Sequence, residues 1–513
     1  MSNKRLASNL FFNILSFAIN AGIAFFFTPY LISVIGKEAF GFYPLATNIA
    51  GYSAIFSAAL NSMAGRFIVM RYYDNDMEGA NRYFNSVFVG NIALTLLLAL
   101  PAAVVTVFIN NVLDVPVSLL ADVRCLFAFT FLASLLGTAG SVFAVATFVK
   151  NRVDMASSRT ALLNLLRVAL LVGLFALFAP SIRLVGYALF AIALITFGVN
   201  IDFTRKLTPE LRFAPLRYYK RSALTEVVSS GIWNSFNQLS VVLMTQLDLL
   251  ITNIFISAAA TGDYSVAKTV PLLVQSFIGT IAAVFMPQFA ILYAQNKTAQ
   301  LSDEINKSVK LLGVFIALPI GFLLVYGDVF FMLWVPALDA AYLHKLSILT
   351  LIPMIVTGTI NTVYNVYTVT NHLKVPALVW FVLGVLQTGT VFVVLKKTDL
   401  GIWTIPLVAL IATLGRNLIF TPLYAAKCLQ LPWHTFYKGI SRGTACSVSV
   451  VLIGMLMRSI YVPDSWHTFI LAGVITSGIS ILIFACTMLS ADERRQLAGK
   501  IPFLKQRFPQ SVN

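Results

Sequence analysis

The sequence predicts an all-α integral membrane protein with about fourteen transmembrane helices. Of its 513 residues, 58% are hydrophobic and only 11% are charged. Together with a mean hydropathy of +0.85, this composition excludes a water-soluble globule. Apolar stretches of about 20 residues, the length that crosses a bilayer, recur along the whole chain with short polar interruptions. No loop is long enough to fold as a separate domain.

Fourteen such stretches can be recognised, and each is expected to form one helix. The first is longer than the core of a signal peptide and is not followed by a small-residue cleavage pattern, so we expect it to be retained. An even number of spans predicts that both chain ends lie on the same side of the membrane. In order, the predicted spans are residues 9–34, 40–64, 84–109, 124–148, 156–179, 184–203, 229–256, 265–293, 311–335, 346–370, 376–395, 402–426, 440–461 and 466–489.

Lysine and arginine concentrate in alternate loops, and this bias predicts the orientation of the chain. The loops on the side of the two termini are rich in basic residues. The opposite loops hold few, among them Lys37, Arg124, Arg183, Lys396 and Lys397. Both termini are therefore expected to be cytoplasmic. The net charge of +16 is expected to face anionic membrane lipid and not nucleic acid.

A weak internal repeat divides the chain into two halves. At an offset of 221 residues, residues 41–46 superpose on residues 262–267 as a shared GxYxxA pattern, and Asn13 superposes on Asn234. Because six spans separate the equivalent residues, both halves enter the membrane from the same side and the repeat is parallel. The alternative is chance similarity between helices rich in Leu and Phe.

The repeat predicts two six-helix lobes, related by a parallel pseudo-repeat around a central cavity, with two further C-terminal helices. The longest loop carries six basic residues and separates the two lobes. The predicted organisation is an N-terminal lobe at 1–203, a basic cytoplasmic linker at 204–222, a C-terminal lobe at 223–427, extra helices at 428–490 and a basic cytoplasmic tail at 491–513.

Polar residues recur at three- or four-residue steps in several spans, which places each set near one helical face. In lipid a polar side chain needs a partner or water, so these faces are expected to line a hydrated cavity. For any single asparagine, a hydrogen bond between two helices is the more ordinary explanation. The predicted lining residues are Asn13, Asn20, Asn48, Tyr52, Asn234, Asn237, Asn361, Tyr364 and Asn365.

Ionisable residues inside spans are a stronger signal, because each costs about 2.5–3.5 kcal/mol at the membrane centre unless it is paired or hydrated. Arg167 and Arg416 fall near the middle of their spans, and Asp248 is the only acid well inside one. Several cations with one acid favour an anionic solute. Asp248 is expected to be a coupling group or an ion-pair partner, and arginines at the helix mouths have snorkelling to lipid as their alternative role. The predicted substrate-binding cations are Arg66, Arg159, Arg167, Lys268 and Arg416.

Enzyme chemistry is not indicated by any motif. The triplet Asp74-Asn75-Asp76 has the DxD spacing of some metal-dependent transferases, but it lies in a short loop and is expected to be a solvated turn. The four histidines are scattered, and there is no GxxxxGK[ST] phosphate loop and no CxxC pair. We therefore expect no catalytic residues, no metal and no cofactor.

Two parts of the sequence resemble the bacterial polysaccharide flippases. The GxYxL pattern at residues 41–45, the Gly51-Tyr52 pair and the small-residue run that ends at Arg66 are similar to the second helix of those proteins. Their seventh and eighth helices are matched by Trp233-Asn234, Asn237-Gln238-Leu239, Gln246-Leu247-Asp248, residues 262–267 and Met286-Pro287.

On these matches the chain is identified as a member of the multidrug/oligosaccharidyl-lipid/polysaccharide flippase superfamily, in the branch that exports O-antigen (lipopolysaccharide) or exopolysaccharide precursors. The resemblance implies a transporter of the bacterial inner membrane, not an enzyme. It implies two lobes that alternate access and an oligosaccharide joined through pyrophosphate to undecaprenol as substrate. A polysaccharide polymerase and chain-length proteins are the partners it suggests.

With that substrate, Arg66 and Arg159 are expected to attract the diphosphate at the cytoplasmic entrance, and Arg167 and Arg416 to hold it near mid-membrane. Three other functions remain open on the sequence. The chain is alternatively a flippase for the peptidoglycan lipid precursor, a cation-coupled multidrug exporter, or a membrane polymerase or transferase acting on the same glycan.

Overall fold

The structure, a computed structural model, describes residues 3–487, with side chains described for residues 11–484 except Asn13. It is helical, and no β-strand occurs among these residues. Fourteen of the described helices are long and apolar enough to cross a membrane. The predicted all-α fold and number of spans are therefore confirmed. The predicted basic tail at 491–513 lies outside the described residues.

The helices follow one another through short connections. Their ends differ most from the predicted spans at the polar ends of α2 and α9, because hydropathy marks only the apolar part of a helix that continues into water. In chain order they are α1 (Asn3–Ile35), α2 (Lys37–Gly51 with Ser53–Tyr73), α3 (Met77–Val107), α4 (Val117–Val149), α5 (Val153–Leu177), α6 (Ile182–Leu207), α7 (Arg221–Phe255), α8 (Ala258–Ala294), α9 (Thr298–Trp334), α10 (Ala340–Thr359, followed by Tyr364–Val369), α11 (Lys374–Lys397), α12 (Gly401–Cys428), α13 (Tyr437–Ile460) and α14 (Trp466–Thr487).

Several helices are irregular within their spans. α2 is interrupted at Tyr52, α4 and α10 tighten into 3₁₀ turns at Ser141–Ala144 and Asn361–Val363, and α7 and α12 widen into π-helical turns at Val242–Gln246 and Arg416–Phe420. Such turns change the helical hydrogen-bonding pattern and leave carbonyl groups for other donors. In a membrane they are tolerated where protein or water covers them.

The structure carries the repeat that the sequence predicted. Three pairs of helices in equivalent positions begin 221 residues apart, and the left-handed turn residues Asn75 (φ 61°) and Asn296 (φ 56°) have the same spacing. Asparagine tolerates this backbone conformation better than most residues. The equivalent first residues are Lys37 and Ala258 for α2 and α8, Met77 and Thr298 for α3 and α9, and Val153 and Lys374 for α5 and α11.

The chain forms two compact units. Among the described residues, the first contains the chain up to Thr269 and Leu373–Ala409, and the second contains Val270–His372 and the chain from Leu410 onward. These units divide the chain differently from the predicted lobes, because α7, α11 and the start of α8 pack with α1–α6. The lobe boundaries drawn from the repeat stay a prediction.

In the first unit, α2 and α8 meet at equivalent glycines of the repeat. A Cβ atom on Gly41 would lie 2.8 Å from the Cα and backbone nitrogen of Gly262. Beside this contact, Lys37 Nζ lies 3.0 Å from a carboxylate oxygen of Asp263. The two helices can approach this closely because neither glycine has a side chain. The ion pair is a second contact between α2 and α8 beside the glycines.

The loop between α6 and α7 is bound to α3 by three buried polar side chains. Asn81 donates to the Glu210 carbonyl (3.1 Å) and accepts from the Arg212 N–H (2.5 Å). One turn later, Asn85 donates to the Arg212 carbonyl and accepts from the Ala214 N–H, both at 2.9 Å. The third side chain, a serine hydroxyl, exchanges hydrogen bonds with the backbone N–H and carbonyl of Lys220. We call residues 208–221 the linker segment.

The second unit has its core between α8, α9, α10, α12 and α13. Buried residues of this core include Phe289, Ile305 and Ile360. At the far end of α9, Asp328 accepts from the guanidinium of Arg458 on α13 (2.8 Å). This pair attaches the additional C-terminal helices to the second unit.

Replacing Gly41 by alanine is expected to destabilise the protein by about 1–3 kcal/mol, because the new methyl group overlaps the backbone of α8. The matched control is Gly389→Ala in α11, where an added Cβ meets no atom within 4 Å. Thermal unfolding of the purified variants in detergent measures the difference. Equal unfolding temperatures for the two variants would contradict the close α2–α8 contact.

Candidate functional site

Four of the five predicted substrate-binding cations lie in the first unit, and three of these are arginines. Arg167 is half-buried in the middle of α5 and has no hydrogen-bond or ion-pair partner among the described residues. Arg159, about 12 Å earlier along the same helix, donates to the amide oxygen of Asn200 on α6. Arg66 on α2 is exposed, and the described part of the chain gives it no partner either. The charges of these three arginines are thus not neutralised by any described carboxylate.

Amide side chains lie close to Arg167. Asn164, three residues earlier on α5, donates to the amide oxygen of Asn20 on α1 at 2.7 Å. Residues three apart lie on the same side of a helix, so the amide pair and the guanidinium share one face of α5. The side chain of Asn13, predicted on the same stripe of α1, lies outside the described residues.

Lys268 and Asp248 form an ion pair within the first unit. The Lys268 ammonium contacts a carboxylate oxygen of Asp248 and donates to the Thr245 carbonyl at 2.7 Å. Both side chains are largely buried, with exposed fractions of 13% and 14%. The hydroxyl of Tyr264 lies 3.4 Å from the same carboxylate. The charge of Lys268 is therefore balanced by Asp248, while a role for either residue in transport stays a prediction.

The π-helical turn of α7 explains why this pair forms where it does. The turn ends at Gln246, and the carbonyl groups of Thr245 and Gln246 accept hydrogen bonds from outside the helix. Lys268 donates to the first, and the hydroxyl of Tyr52 donates to the second at 3.2 Å. The irregular turn thus connects α7 to α8 and to the break in α2.

The second unit holds Arg416, which is 7% exposed and lies in the π-helical turn of α12. Its Nε donates to the amide oxygen of Asn417 (2.9 Å) and its Nη2 to the hydroxyl of Tyr364 (3.1 Å). Tyr364 in turn donates to the same amide oxygen, and Asn417 donates to the hydroxyl of Thr357. An amide, a phenol and an alcohol on α10 and α12 therefore fix the orientation of the guanidinium.

The remaining predicted lining residues divide into two groups. Asn234 donates to Ser62 on α2 (3.0 Å), and Asn365 donates to the Ala282 carbonyl on α8 (3.1 Å). These two serve as contacts between helices, which was the alternative explanation for single asparagines. The others have no hydrogen-bond partner in the part of the chain that the structure describes; they are Asn48, Asn237 and Asn361.

The structure also shows a polar cluster that the sequence did not predict. Asn61 on α2, Asn91 on α3 and Ser141 on α4 are joined by four hydrogen bonds of 2.9–3.2 Å. Each helix supplies one member, so no periodic stripe marks the cluster. Its only sequence signal is an isolated asparagine within an apolar span.

The DxD triplet has a structural role. Asp76 caps the first turn of α3 by accepting from the Gly79 N–H at 2.8 Å, which is the ordinary use of an aspartate before a helix. Among the described residues no group of three His, Cys, Asp or Glu side chains is placed to hold a metal ion.

Comparison with known proteins identifies sequence relatives. Residues 6–292 match the family model described as polysaccharide biosynthesis protein. The chain is also 32% identical over 496 residues to an uncharacterized membrane protein of Bacillus subtilis (strain 168), EpsK, covering 95% of this chain and 96% of that protein.

Solved structures show that the fold is shared with known transporters. The lipid II flippase MurJ in an inward closed conformation matches with a TM-score of 0.65 over 92% of this chain and all of that chain, at 14% identity. An inward-facing multidrug resistance MATE family transporter of the MOP superfamily matches with a TM-score of 0.55, covering 83% of this chain and 94% of that one at 16% identity. The sequence relatives confirm the resemblance to the polysaccharide biosynthesis family, and these structures confirm the fold.

Replacing Asp248 by leucine is expected to destabilise the protein by about 3–5 kcal/mol, because a largely buried ammonium then lacks its counter-charge. The double variant Asp248→Leu with Lys268→Met removes both charges and should recover most of that loss. Thermal unfolding in detergent of both variants and the unaltered chain measures this. A double variant as unstable as the single one would show that the ion pair is not what the substitution disturbs.

Proposed function

We propose that this chain, which belongs to the polysaccharide biosynthesis protein family, is a flippase for undecaprenyl-pyrophosphate-linked oligosaccharide repeat units. It acts in the bacterial inner membrane, with both termini cytoplasmic, during O-antigen or exopolysaccharide synthesis. Family membership supports a role in polysaccharide biosynthesis, and the fold supports transport. The observation that carries the choice of substrate is Arg167, a half-buried cation at mid-span without a described partner.

An anionic diphosphate satisfies the requirements of such a cation. An unneutralised arginine near the membrane centre is costly, and two phosphate groups present oxygens that a guanidinium binds in a bidentate manner. Arg159 lies on the same helix, nearer its beginning, and it also lacks a carboxylate partner among the described residues. In the proposed mechanism the two arginines give the diphosphate successive positions along α5, with Arg159 at the entrance and Arg167 near mid-membrane.

The neutral polar groups of the first unit suit the sugar portion. Sugars bind through hydrogen bonds to amides and hydroxyls, and the pair of Asn20 and Asn164 lies on the same face of α5 as Arg167. The isoprenoid tail is apolar and can stay in the bilayer during transport. In the second unit, Arg416 has a fixed orientation and neutral hydrogen-bond partners, which supports its proposed role as another diphosphate contact.

Alternating access requires the contact between α2 and α8 to open. Its ion pair, Lys37 with Asp263, and its glycine pair, Gly41 with Gly262, lie at the ends of these helices predicted to face away from the cytoplasm. In the proposed mechanism this contact blocks exit while substrate loads, and its separation releases the oligosaccharide outside. No phosphate-loop motif is present in the sequence, so the energy comes from an ion gradient or from consumption of the product.

Deleting the gene in its host tests the proposed function against its alternatives. Surface glycan should be lost, and complete lipid-linked repeat units should accumulate, resistant to a membrane-impermeant sugar-modifying enzyme because they remain in the cytoplasmic leaflet. Complete units on the outer face that are not polymerised would indicate a polymerase instead. An inviable deletion would indicate a flippase for the peptidoglycan lipid precursor. Drug sensitivity with normal surface glycan would indicate a multidrug exporter.

Complementation with Arg167→Ala is expected to restore surface glycan roughly tenfold to a hundredfold less efficiently than the unaltered chain, because hydrogen bonds to charged groups contribute about 1.5–3 kcal/mol each. Arg416→Ala should be impaired in the same direction. Surface glycan and protein abundance are measured together. The matched control is Arg183→Ala, which removes an exposed arginine paired with Asp122. Normal glycan from well-expressed variants at both 167 and 416 would overturn the assignment.

A further inference from the structure

One side of the linker segment is hydrogen-bonded to α3. The opposite side carries both basic and apolar side chains. Leu216 is fully exposed and Tyr219 is exposed by 42%, whereas the ring of Phe213 packs partly against Phe88 and Phe143 and leaves 55% of the residue exposed. By contrast, Leu211 is buried and anchors the segment in the core beside α3. The basic side chains of the segment and of the end of α6 are also exposed; they are Arg205, Lys206, Arg212, Arg217, Lys220 and Arg221.

Most of these positive charges are not balanced by an acid among the described residues. Lys206 pairs with Asp202 at 2.9 Å, but the other five have no ion-pair partner in the described part of the chain. The acid within the segment, Glu210, is engaged by the hydroxyl of Tyr72 at 2.8 Å. The exposed surface of the linker segment therefore presents a net positive charge.

The position of the segment places this surface at the edge of the membrane. Its two anchoring amides, Asn81 and Asn85, lie within the first ten residues of α3, whose later residues such as Leu96 and Leu97 are apolar and exposed. The helix that follows the segment, α7, likewise exposes Ile232 and Trp233 about three turns from its start. The linker segment thus lies where the polar ends of these helices give way to their lipid-facing parts.

We propose that the linker segment is an interfacial anchor that binds the anionic phospholipid surface of the leaflet on its side of the membrane. Leu216, Phe213 and Tyr219 enter the boundary between headgroups and acyl chains, and Arg212, Arg217, Lys220 and Arg221 contact lipid phosphates. Exposed apolar residues flanked by cations are the composition that favours this location.

An acidic protein partner is the other occupant with matching charge. The apolar side chains favour lipid, because Leu216 has no apolar neighbour of its own and lies near the bilayer boundary. The backbone hydrogen bonds to α3 also support a lipid contact, since a surface that is already rigid loses little entropy on binding a fluid membrane. Lipid binding by the linker segment does not depend on which molecule the protein transports. The anchor proposal can therefore be disproved while the flippase proposal stands, and the flippase proposal can be disproved while the anchor proposal stands.

The test uses the full-length chain with its four cysteines replaced by alanine. Leu216→Cys then supplies one site for a fluorescent label, and the labelled protein is reconstituted in lipid nanodiscs. In discs containing phosphatidylglycerol, we expect quenching by nitroxide lipids and protection from a water-soluble quencher. In phosphatidylcholine discs the protection should be weaker. Adding Arg217→Glu, Lys220→Glu and Arg221→Glu should reduce the effect of anionic lipid by roughly tenfold or more. The matched control adds Lys297→Glu, an exposed basic residue of another loop, and should change nothing.

A label-free measurement covers the case in which the cysteine-free chain does not fold. Phosphatidylglycerol with a photoreactive headgroup is cross-linked to the unaltered chain, and we expect modified peptides to include the linker segment. A label at 216 that stays accessible to water in anionic discs, with no cross-link in the segment, would overturn the proposal. Protection that appears only after cytosolic protein is added would assign the surface to an acidic partner instead.

Discussion

Hydrocarbon offers no hydrogen-bond partners, so polar groups within the spans need partners in the protein or in water. Irregular turns leave backbone groups that need a partner, and the Leu418 carbonyl in the π-helical turn of α12 accepts from the hydroxyl of Tyr437. The π-helical turn of α7 leaves carbonyls that accept from Lys268 and Tyr52. In the 3₁₀ turn of α4, the Phe143 carbonyl accepts from the hydroxyl of Thr204 on α6. Lys268 therefore satisfies a backbone carbonyl and is also one of the predicted substrate-binding cations.

The fourteen helices could be predicted because span length and hydropathy depend only on local sequence. The way they pack could not, since it depends on which surfaces approach closely. α7 lies in the first unit because Gly231 lets it approach the backbone of α2 at Ala59, and nothing in the hydropathy of α7 indicates that choice. The sequence repeat located equivalent helices correctly, but it carries no information about which helices form a compact unit.

The candidate site shows the same limit residue by residue. Arg167 and Lys268 look alike in the sequence, as single cations within apolar spans. In the structure Lys268 meets Asp248 from the neighbouring helix, whereas Arg167 meets no described carboxylate. The cluster of Asn61, Asn91 and Ser141 escaped prediction because a periodic search within one helix cannot detect three residues from three helices. The sequence therefore shows which spans contain a charged residue. Whether that charge is neutralised depends on which residues the fold brings next to it.

The meeting of Gly41 with Gly262 has a consequence for the ancestry of the chain. Residues 221 positions apart are counterparts in the two halves, and counterparts touch only on a symmetry axis. In a homodimer of one ancestral half, this position would have faced its own copy, so a single glycine codon would have satisfied both sides. In a single gene the two codons mutate separately, and a side chain added at either glycine overlaps the backbone of the other helix. The same close approach, one constraint on a short gene, is two independent constraints on a long one.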